Sequence, residues 1–163
     1  MSQEIERKFL VKDDSWRSGA GRGTLYRQGY LSVDPSRVVR VRIAGAKGYL
    51  TIKGRTAGIT RDEFEYTIPT VDALVMLDRL CIRPLIEKTR YRIDHEGHTW
   101  EVDEFVGDNA GLIIAEVELS GSDVSPGLPA WVGREVSDDP RYFNSNLAQH
   151  SFREWRDDRL PAR

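Results

Sequence analysis

The sequence predicts an α+β protein that is mainly antiparallel β: an eight-stranded closed tunnel, or barrel, with a charged lumen and flanking α-helices. The first observation is that charged residues recur at a spacing of two along many segments, with apolar residues between them. Residues two apart share one face of a strand. The second is that most of these faces carry a single sign of charge, which costs energy on an open surface. A sheet closed on itself gathers the charged faces inside and leaves the apolar faces for helices to cover.

Eight segments show this strict alternation between turn signals and are therefore predicted strands. They run over about 3–11, 25–33, 38–43, 50–53, 61–69, 85–95, 98–106 and 112–120. Asp34-Pro35-Ser36, the stretch from Gly45 to Gly48, and a tight His95-Glu96-Gly97-His98 hairpin supply turns between them. Residues 13–23 and 55–60 are predicted loops.

One helix is predicted between the fifth and sixth strands. Thr70 can cap its N-terminus, and Arg83-Pro84 ends it. Its apolar stripe consists of Val71, Leu74, Val75, Leu77 and Leu80. The remainder of the chain is predicted as a C-terminal helical segment over about 127–156, regular from about residue 140, and a frayed tail over 157–163.

The first strand shows the charge pattern most clearly. Glu4, Glu6 and Lys8 share one face, and two carboxylates about 7 Å apart along a strand repel unless a cation lies between them. Later strands align acidic residues at positions 63/65, 101/103 and 116/118, and basic residues at 40/42 and 88/90/92. Burying these charges dry would cost several kcal/mol per ion. We therefore expect water, metal and an ionic ligand inside the tunnel.

Composition narrows the class of protein. The 163 residues suit one domain, and a net charge of -2 gives no sign of a nucleic-acid or membrane surface. The single cysteine, Cys81, excludes an intrachain disulfide and suits a reducing compartment. No apolar signal region opens the chain, and no apolar run reaches the roughly 18 residues that span a bilayer. We expect a cytoplasmic protein.

Several motifs in this order resemble the CYTH superfamily, the triphosphate tunnel metalloenzymes. Glu4-Ile5-Glu6-Arg7-Lys8 matches the family's ExExK signature. The other matching segments are Gln28-Gly29-Tyr30, Arg40-Val41-Arg42, Lys53, Glu63-Phe64-Glu65, Lys88-Thr89-Arg90, Asp103, Glu116-Val117-Glu118, Trp131 to Val136, and Arg141-Tyr142 to Asn146-Leu147-Ala148. The resemblance implies a single CYTH domain over 1–163 with an eight-stranded antiparallel tunnel. It also implies hydrolysis or transfer at a triphosphate, aided by one or two Mg²⁺ or Mn²⁺ ions.

The resemblance also assigns roles to the charged residues. Those expected to bind phosphate are Lys8, Arg40, Arg42, Lys53, Lys88, Arg90 and Arg134. Those expected to hold metal, directly or through water, are Glu4, Glu6, Glu63, Glu65, Asp103, Glu116 and Glu118. Glu4, Glu6 and Lys8 are the expected catalytic residues, with a water on a second metal, or held by Glu4 or Glu6, attacking the terminal phosphorus. Arg92 and Glu101 are expected only to line the tunnel or to be solvated.

Three functions fit this reading. The favoured one is hydrolysis of inorganic tripolyphosphate to pyrophosphate and phosphate, because the compact chain has no extra domain to recognise a base. The second is action on an organic triphosphate, as a nucleoside or thiamine triphosphatase or a class IV-type adenylate cyclase, with Trp16, Tyr26 or Tyr49 stacking on a ring. The third is a non-catalytic polyphosphate or nucleotide sensor. The expected partner is a small-molecule triphosphate, not a nucleic acid or a membrane, and the expected state is a monomer or homodimer.

Overall fold

A computed structural model describes residues 2–156. Its nine strands form one antiparallel sheet with the order β5-β4-β3-β2-β6-β7-β8-β1-β9, and β5 also pairs with β1, which closes the barrel. The strands are β1 (Ser2–Val11), β2 (Thr24–Ser32), β3 (Val38–Ala44), β4 (Lys47–Lys53), β5 (Thr60–Ile68), β6 (Ile86–His95), β7 (His98–Phe105), β8 (Ile113–Glu118) and β9 (Val132–Glu135). The helices are α1 (Trp16–Gly19), α2 (Thr70–Arg79), α3 (Asn144–Leu147) and α4 (Phe152–Trp155). The predicted eight-stranded closed tunnel is confirmed, with one extra strand.

Strand β1 is the seam of the barrel. Its first residues pair with β5, from Ser2 opposite Glu63 to Ile5 opposite Thr60. From Glu6 onward it pairs with β8, and near its end with β9. This stagger gives a closed sheet the shear it needs. Strand pairing with β5 ends at Ile5, the Glu6 amide donates to the Ile59 carbonyl, and β9 pairs with the same edge further along at Phe9 and Val11.

The apolar residues form three clusters that position the tunnel. One, under Trp16 and Trp131, packs on the outer faces of β1, β7 and β8. Another lies between α2 and the outer faces of β3 and β4. The third, which we call the end cluster, consists of Leu10, Tyr30, Val38, Ile86, Phe105, Leu112, Ile114, Val136, Tyr142, Leu147, Ala148 and Phe152. Several of its strand residues share the inward face with the charged residues, so apolar side chains and the C-terminal segment close one end of the tunnel.

The helix after β5 forms where the sequence predicts it but differs in two details. Its N-cap is Pro69, and the Thr70 hydroxyl donates instead to the Ala46 carbonyl at 2.8 Å. Only Ala73 and Leu77 are buried. The other apolar residues of the predicted stripe, Val71, Leu74, Val75 and Leu80, are 43–65% exposed, because the helix contacts the sheet along a single row of side chains. No helix within residues 2–156 is long and apolar enough to cross a membrane.

The C-terminal part departs further from the predicted helical segment. Over 127–156 the chain forms β9, a 3₁₀ turn at Pro140–Tyr142 and two one-turn helices, α3 and α4. Pairing with the free edge of β1 satisfies backbone groups that a helix at 132–135 would leave exposed on that strand. The predicted frayed tail, 157–163, lies outside the described residues.

Gly29 of β2 is held against the segment that connects α2 to β6. A Cβ at this position would lie 2.7 Å from the Cβ of Cys81 and 2.8 Å from Cδ2 of Leu85. We expect Gly29→Ala to lower the free energy of unfolding by about 1–3 kcal/mol through overpacking. Urea unfolding measures this. Gly21→Ala is the matched control because nothing lies within 4 Å of its Cβ, and equal stability of the two variants would contradict the packing described.

Candidate active site

The tunnel encloses a cavity of about 310 Å³. Twelve of the predicted site residues line it: Glu4, Glu6, Lys8, Arg40, Arg42, Lys53, Glu63, Glu65, Lys88, Arg90, Glu116 and Glu118. Arg92 and Glu101 line it as well, with Arg92 donating to Glu101 at 3.2 Å. The alternation of each strand brings these side chains together, because the barrel has only one interior.

Most cations in the tunnel form ion pairs with one or more carboxylates. Lys8 Nζ lies 2.9 Å from Glu116 Oε1 and 3.1 Å from Glu6 Oε1. Burial alone would lower the pKa of Lys8, but Glu116 and Glu6 outweigh it and hold that pKa above its ordinary value. Lys53 Nζ lies between Glu4, at 3.1 Å, and Glu63, at 3.3 Å.

Carboxylates are in surplus where β1, β5 and β8 meet. Glu6 lies directly opposite Glu118 in the ladder between β1 and β8, and like charges in this position repel. Burial, together with the charges of Glu4, Glu63 and Glu6, raises the pKa of Glu118. Burial and the charge of Glu116 raise the pKa of Glu6. This side of the cavity therefore favours a bound cation.

Cations are in surplus near the end cluster. Burial, with Arg40 and Arg90 nearby, lowers the pKa of Arg42 to about 10. Burial also lowers the pKa of Lys88, even though Asp103 lies 2.7 Å from its ammonium. These shifts show that neighbouring carboxylates do not fully compensate the positive charges. An anion in the cavity would compensate them.

Two predicted residues do not line the cavity. Asp103 is fully buried; it accepts hydrogen bonds of 2.7 and 2.8 Å from the Arg90 guanidinium and lies beside Lys88. Burial alone would raise its pKa, but Arg90 and Lys88 outweigh that effect and lower it. Arg134 is exposed on β9 and donates to the Tyr142 hydroxyl at 3.3 Å. The structure thus places Asp103 as a partner of two cations and Arg134 outside the tunnel.

Three further residues take part that the sequence analysis did not assign to phosphate or metal binding. The ring centroid of Tyr26 is 4.9 Å from Cζ of both Arg42 and Arg90, so the ring contacts two guanidinium groups. Gln28 and Asn144 hydrogen-bond to each other and to the basic residues. Tyr26 and Gln28 share the inward face of β2, which alternation could have shown. Asn144 lies in the irregular C-terminal segment, where no periodicity identifies it.

The carboxylate surplus fits a divalent metal ion. Its donors are hard carboxylate oxygens, the type that Mg²⁺ and Mn²⁺ prefer, and Glu6 and Glu118 lie directly opposite each other in the ladder between β1 and β8. Within residues 2–156 no three such side chains already surround a common point. Lys53 and Lys8 account for this, since each lies between two of the carboxylates.

The geometry agrees with what the chain is similar to. A family profile described as the CYTH domain matches residues 2–152. The chain belongs to the CYTH family. An inorganic triphosphatase from Acetivibrio thermocellus is 50% identical over 157 residues, which span 96% of this chain and 100% of that protein. One from Nitrosomonas europaea is 36% identical over 149 residues, which span 89% and 96%.

A solved structure confirms the architecture of this CYTH domain. The crystal structure of an inorganic triphosphatase matches with a TM-score of 0.63 and 34% sequence identity, covering 88% of this chain and 96% of its own. The resemblance inferred from the motifs is therefore confirmed, and so is the closed tunnel as the fold in which its charged residues act.

Glu118 provides a test of the carboxylate surplus by pH. Because its pKa is raised in the folded state, its ionisation destabilises the fold as pH rises from about 4 through that raised pKa. We expect Glu118→Gln to unfold at higher urea concentration than the unmodified protein at pH 8 without divalent ions. The gain should disappear below about pH 4, where the carboxyl is protonated in both states.

Glu135→Gln is the contrasting variant. Its hydrogen bond with Arg7 lowers the pKa of Glu135, so this change should cost up to about 1 kcal/mol at pH 8. A loss of stability for Glu118→Gln at pH 8 would show that Glu118 does not face other carboxylates.

Proposed function

We propose that this protein is a metal-dependent inorganic triphosphatase, which hydrolyses tripolyphosphate to pyrophosphate and phosphate. The carrying observation is the division of charge inside one small cavity, with uncompensated cations at one end and a carboxylate surplus at the other. A linear polyanion bound together with divalent cations matches both ends. The two related inorganic triphosphatases support the choice of substrate.

The basic residues would bind the phosphate chain. Arg42 and Arg90 present guanidinium groups that can bind two phosphate oxygens each, and Lys88 adds a point charge beside them. Asp103 holds Arg90 and Lys88 in place rather than binding metal. The Tyr26 ring contacts both guanidinium groups. Together these residues hold the phosphate chain and stabilise negative charge that develops during transfer.

The carboxylates Glu4, Glu6, Glu63 and Glu118 would hold Mg²⁺ or Mn²⁺. When bound, such an ion neutralises phosphate oxygens and lowers the pKa of its water. Phosphate oxygens compete with Glu4 and Glu6 for the ammonium groups of Lys53 and Lys8, and so release these carboxylates for metal. Glu4 or Glu6 would then orient the water that attacks, in line, the terminal phosphorus nearest these carboxylates; the phosphoanhydride bond breaks and pyrophosphate, which includes the terminal phosphoryl group at the cationic end, leaves.

The aromatic residues give little support to an organic triphosphate. The Tyr26 ring already contacts Arg42 and Arg90. Trp16 is buried outside the tunnel and packs on Tyr91, with ring centroids 5.2 Å apart. The third ring considered for stacking, Tyr49, lines the cavity, where a bound base would contact it. A non-catalytic sensor is disfavoured because an anion-binding protein gains nothing from the surplus carboxylates. The cytoplasmic location and the monomeric or homodimeric state stay predictions.

A phosphate-release panel tests the proposed substrate. The panel contains tripolyphosphate, pyrophosphate, ATP and thiamine triphosphate, each with and without Mg²⁺. We expect kcat/KM for tripolyphosphate to exceed that for either organic triphosphate by about tenfold or more, no release from pyrophosphate, and no activity with chelator. Release from ATP alone, or cyclic AMP as its product, would overturn the proposal in favour of a nucleotide enzyme.

Glu4→Gln tests the metal-binding role. The amide keeps the shape of the side chain but removes its charge, so we expect kcat with tripolyphosphate to fall about 100-fold or more. Mn²⁺ binding in the presence of tripolyphosphate should weaken in parallel. Glu87→Gln is the control, since Glu87 is exposed outside the barrel near Arg27. Near-normal kcat for Glu4→Gln at saturating Mg²⁺ would show that this carboxylate is not a metal ligand.

A further inference from the structure

The C-terminal segment enters the cavity at its cationic end. Phe143, Asn144 and Ser145 line the cavity there, and the end cluster closes the tunnel behind them through Tyr142 and Leu147. A linear phosphate chain that reaches this closed end presents a terminal phosphoryl group to it. Residue 144 is the one of these three whose side chain hydrogen-bonds to the basic residues.

A chain of hydrogen bonds fixes the orientation of two side-chain amides. Arg42 Nε donates to Gln28 Oε1 at 3.0 Å. Because a guanidinium can only donate, Gln28 must turn its oxygen to Arg42 and its Nε2 to Asn144, whose Oδ1 accepts at 2.9 Å. Lys88 Nζ, which also can only donate, reaches the same Oδ1 at 2.9 Å. The donors on both sides leave Asn144 one orientation, with its oxygen toward the tunnel wall.

This orientation leaves the amide nitrogen of Asn144 as a donor. In the part of the chain that the structure describes, Oδ1 accepts both bonds and Nδ2 has no hydrogen-bond acceptor. Asn144 lines the cavity beside Lys88, and Gln28 links it to Arg42. We infer that Asn144 Nδ2 donates a hydrogen bond to the terminal phosphoryl group of the bound triphosphate, and that Gln28 and Lys88 position it for that bond. This inference rests on the proposed function.

The chemistry of position 144 favours an amide over a carboxylate. Aspartate has the same shape and would accept from Gln28 and Lys88 as well as asparagine does. It would, however, replace the N–H donor with a second acceptor and place a negative charge against the phosphate. It would also give Lys88, already paired with Asp103, a second carboxylate to hold its ammonium away from the substrate.

Three variants separate a phosphate donor from a structural acceptor. We expect Asn144→Ala to lower kcat/KM for tripolyphosphate about tenfold through loss of one hydrogen bond to a charged group, and Asn144→Asp to lower it about 100-fold. Asn146→Ala is the matched control: Asn146 belongs to the same helix, α3, but donates to the Pro140 carbonyl at 2.7 Å, and its kcat/KM should stay within about twofold.

The comparison with Asn144→Asp decides the inference. If Asn144→Asp keeps the kcat/KM of the unmodified protein, the inference is overturned, because the carboxylate has no N–H to donate and adds a negative charge against the phosphate. An unchanged kcat/KM for Asn144→Ala overturns it as well. Either outcome leaves the proposed function standing, because the unmodified protein is assayed alongside.

Thermal unfolding establishes whether each variant folds. If Asn144→Asp does not fold, the inference is tested by comparing kcat/KM of Asn144→Ala with that of Asn146→Ala. If the unmodified protein releases no phosphate, the proposed function fails. Calorimetric titration with tripolyphosphate then tests the binding site alone. We expect Asn146→Ala to bind most tightly, Asn144→Ala more weakly and Asn144→Asp most weakly, and equal affinities would overturn the inference.

Discussion

The structure depends on opposite charges meeting across neighbouring strands inside a closed barrel. Lys8 lies opposite Glu116 on β1 and β8, Lys53 opposite Glu63 on β4 and β5, and Arg90 opposite Asp103 on β6 and β7. Without these pairs, desolvating so many ionic groups would oppose closure of the sheet. The charge pairing is incomplete. Carboxylates are in surplus beside β1, and cations are in surplus beside β3 and β6. A cavity with such ends is stabilised by binding an anion and a cation together, which is what a triphosphate with divalent metal provides.

The closed end of the tunnel connects the fold to the substrate. Inward residues at the ends of the strands, such as Leu10, Ile86 and Ile114, are apolar and pack against Leu147 and Phe152. The same strands therefore supply charged walls along part of their length and an apolar floor at one end. The C-terminal segment that completes this floor also brings Asn144 among the cations. The C-terminal segment, which lies outside the barrel strands, thereby contributes a residue to the closed end of the phosphate site.

Alternation predicted the inward faces well, because a side chain that points away from the outer apolar layer of a closed barrel must point into its interior. Alternation gives the face of a strand but not the depth along it. Asp103 has the inward parity that was expected, yet it lies buried under Arg90 and Lys88. The C-terminal part was predicted as helical from its apolar residues. Instead, residues 132–135 pair with the edge of β1 as strand β9, and Arg134 on this strand points away from the tunnel. The position of Asn144 in the site results from tertiary packing of the C-terminal segment, so no local sequence pattern predicts it.

Charged side chains from separate strands converge on one enclosed cavity, which we propose as the site for a polyphosphate. Amine acylation followed by mass spectrometry tests it directly, with and without tripolyphosphate and in the absence of divalent ions. Lys53 and Lys88 line the cavity, whereas Lys12 and Lys47 are exposed outside it. We expect tripolyphosphate to slow labelling of Lys53 and Lys88 together and to leave Lys12 and Lys47 unchanged. Equal labelling of all four with and without tripolyphosphate, or protection of the outer pair alone, would contradict the proposal.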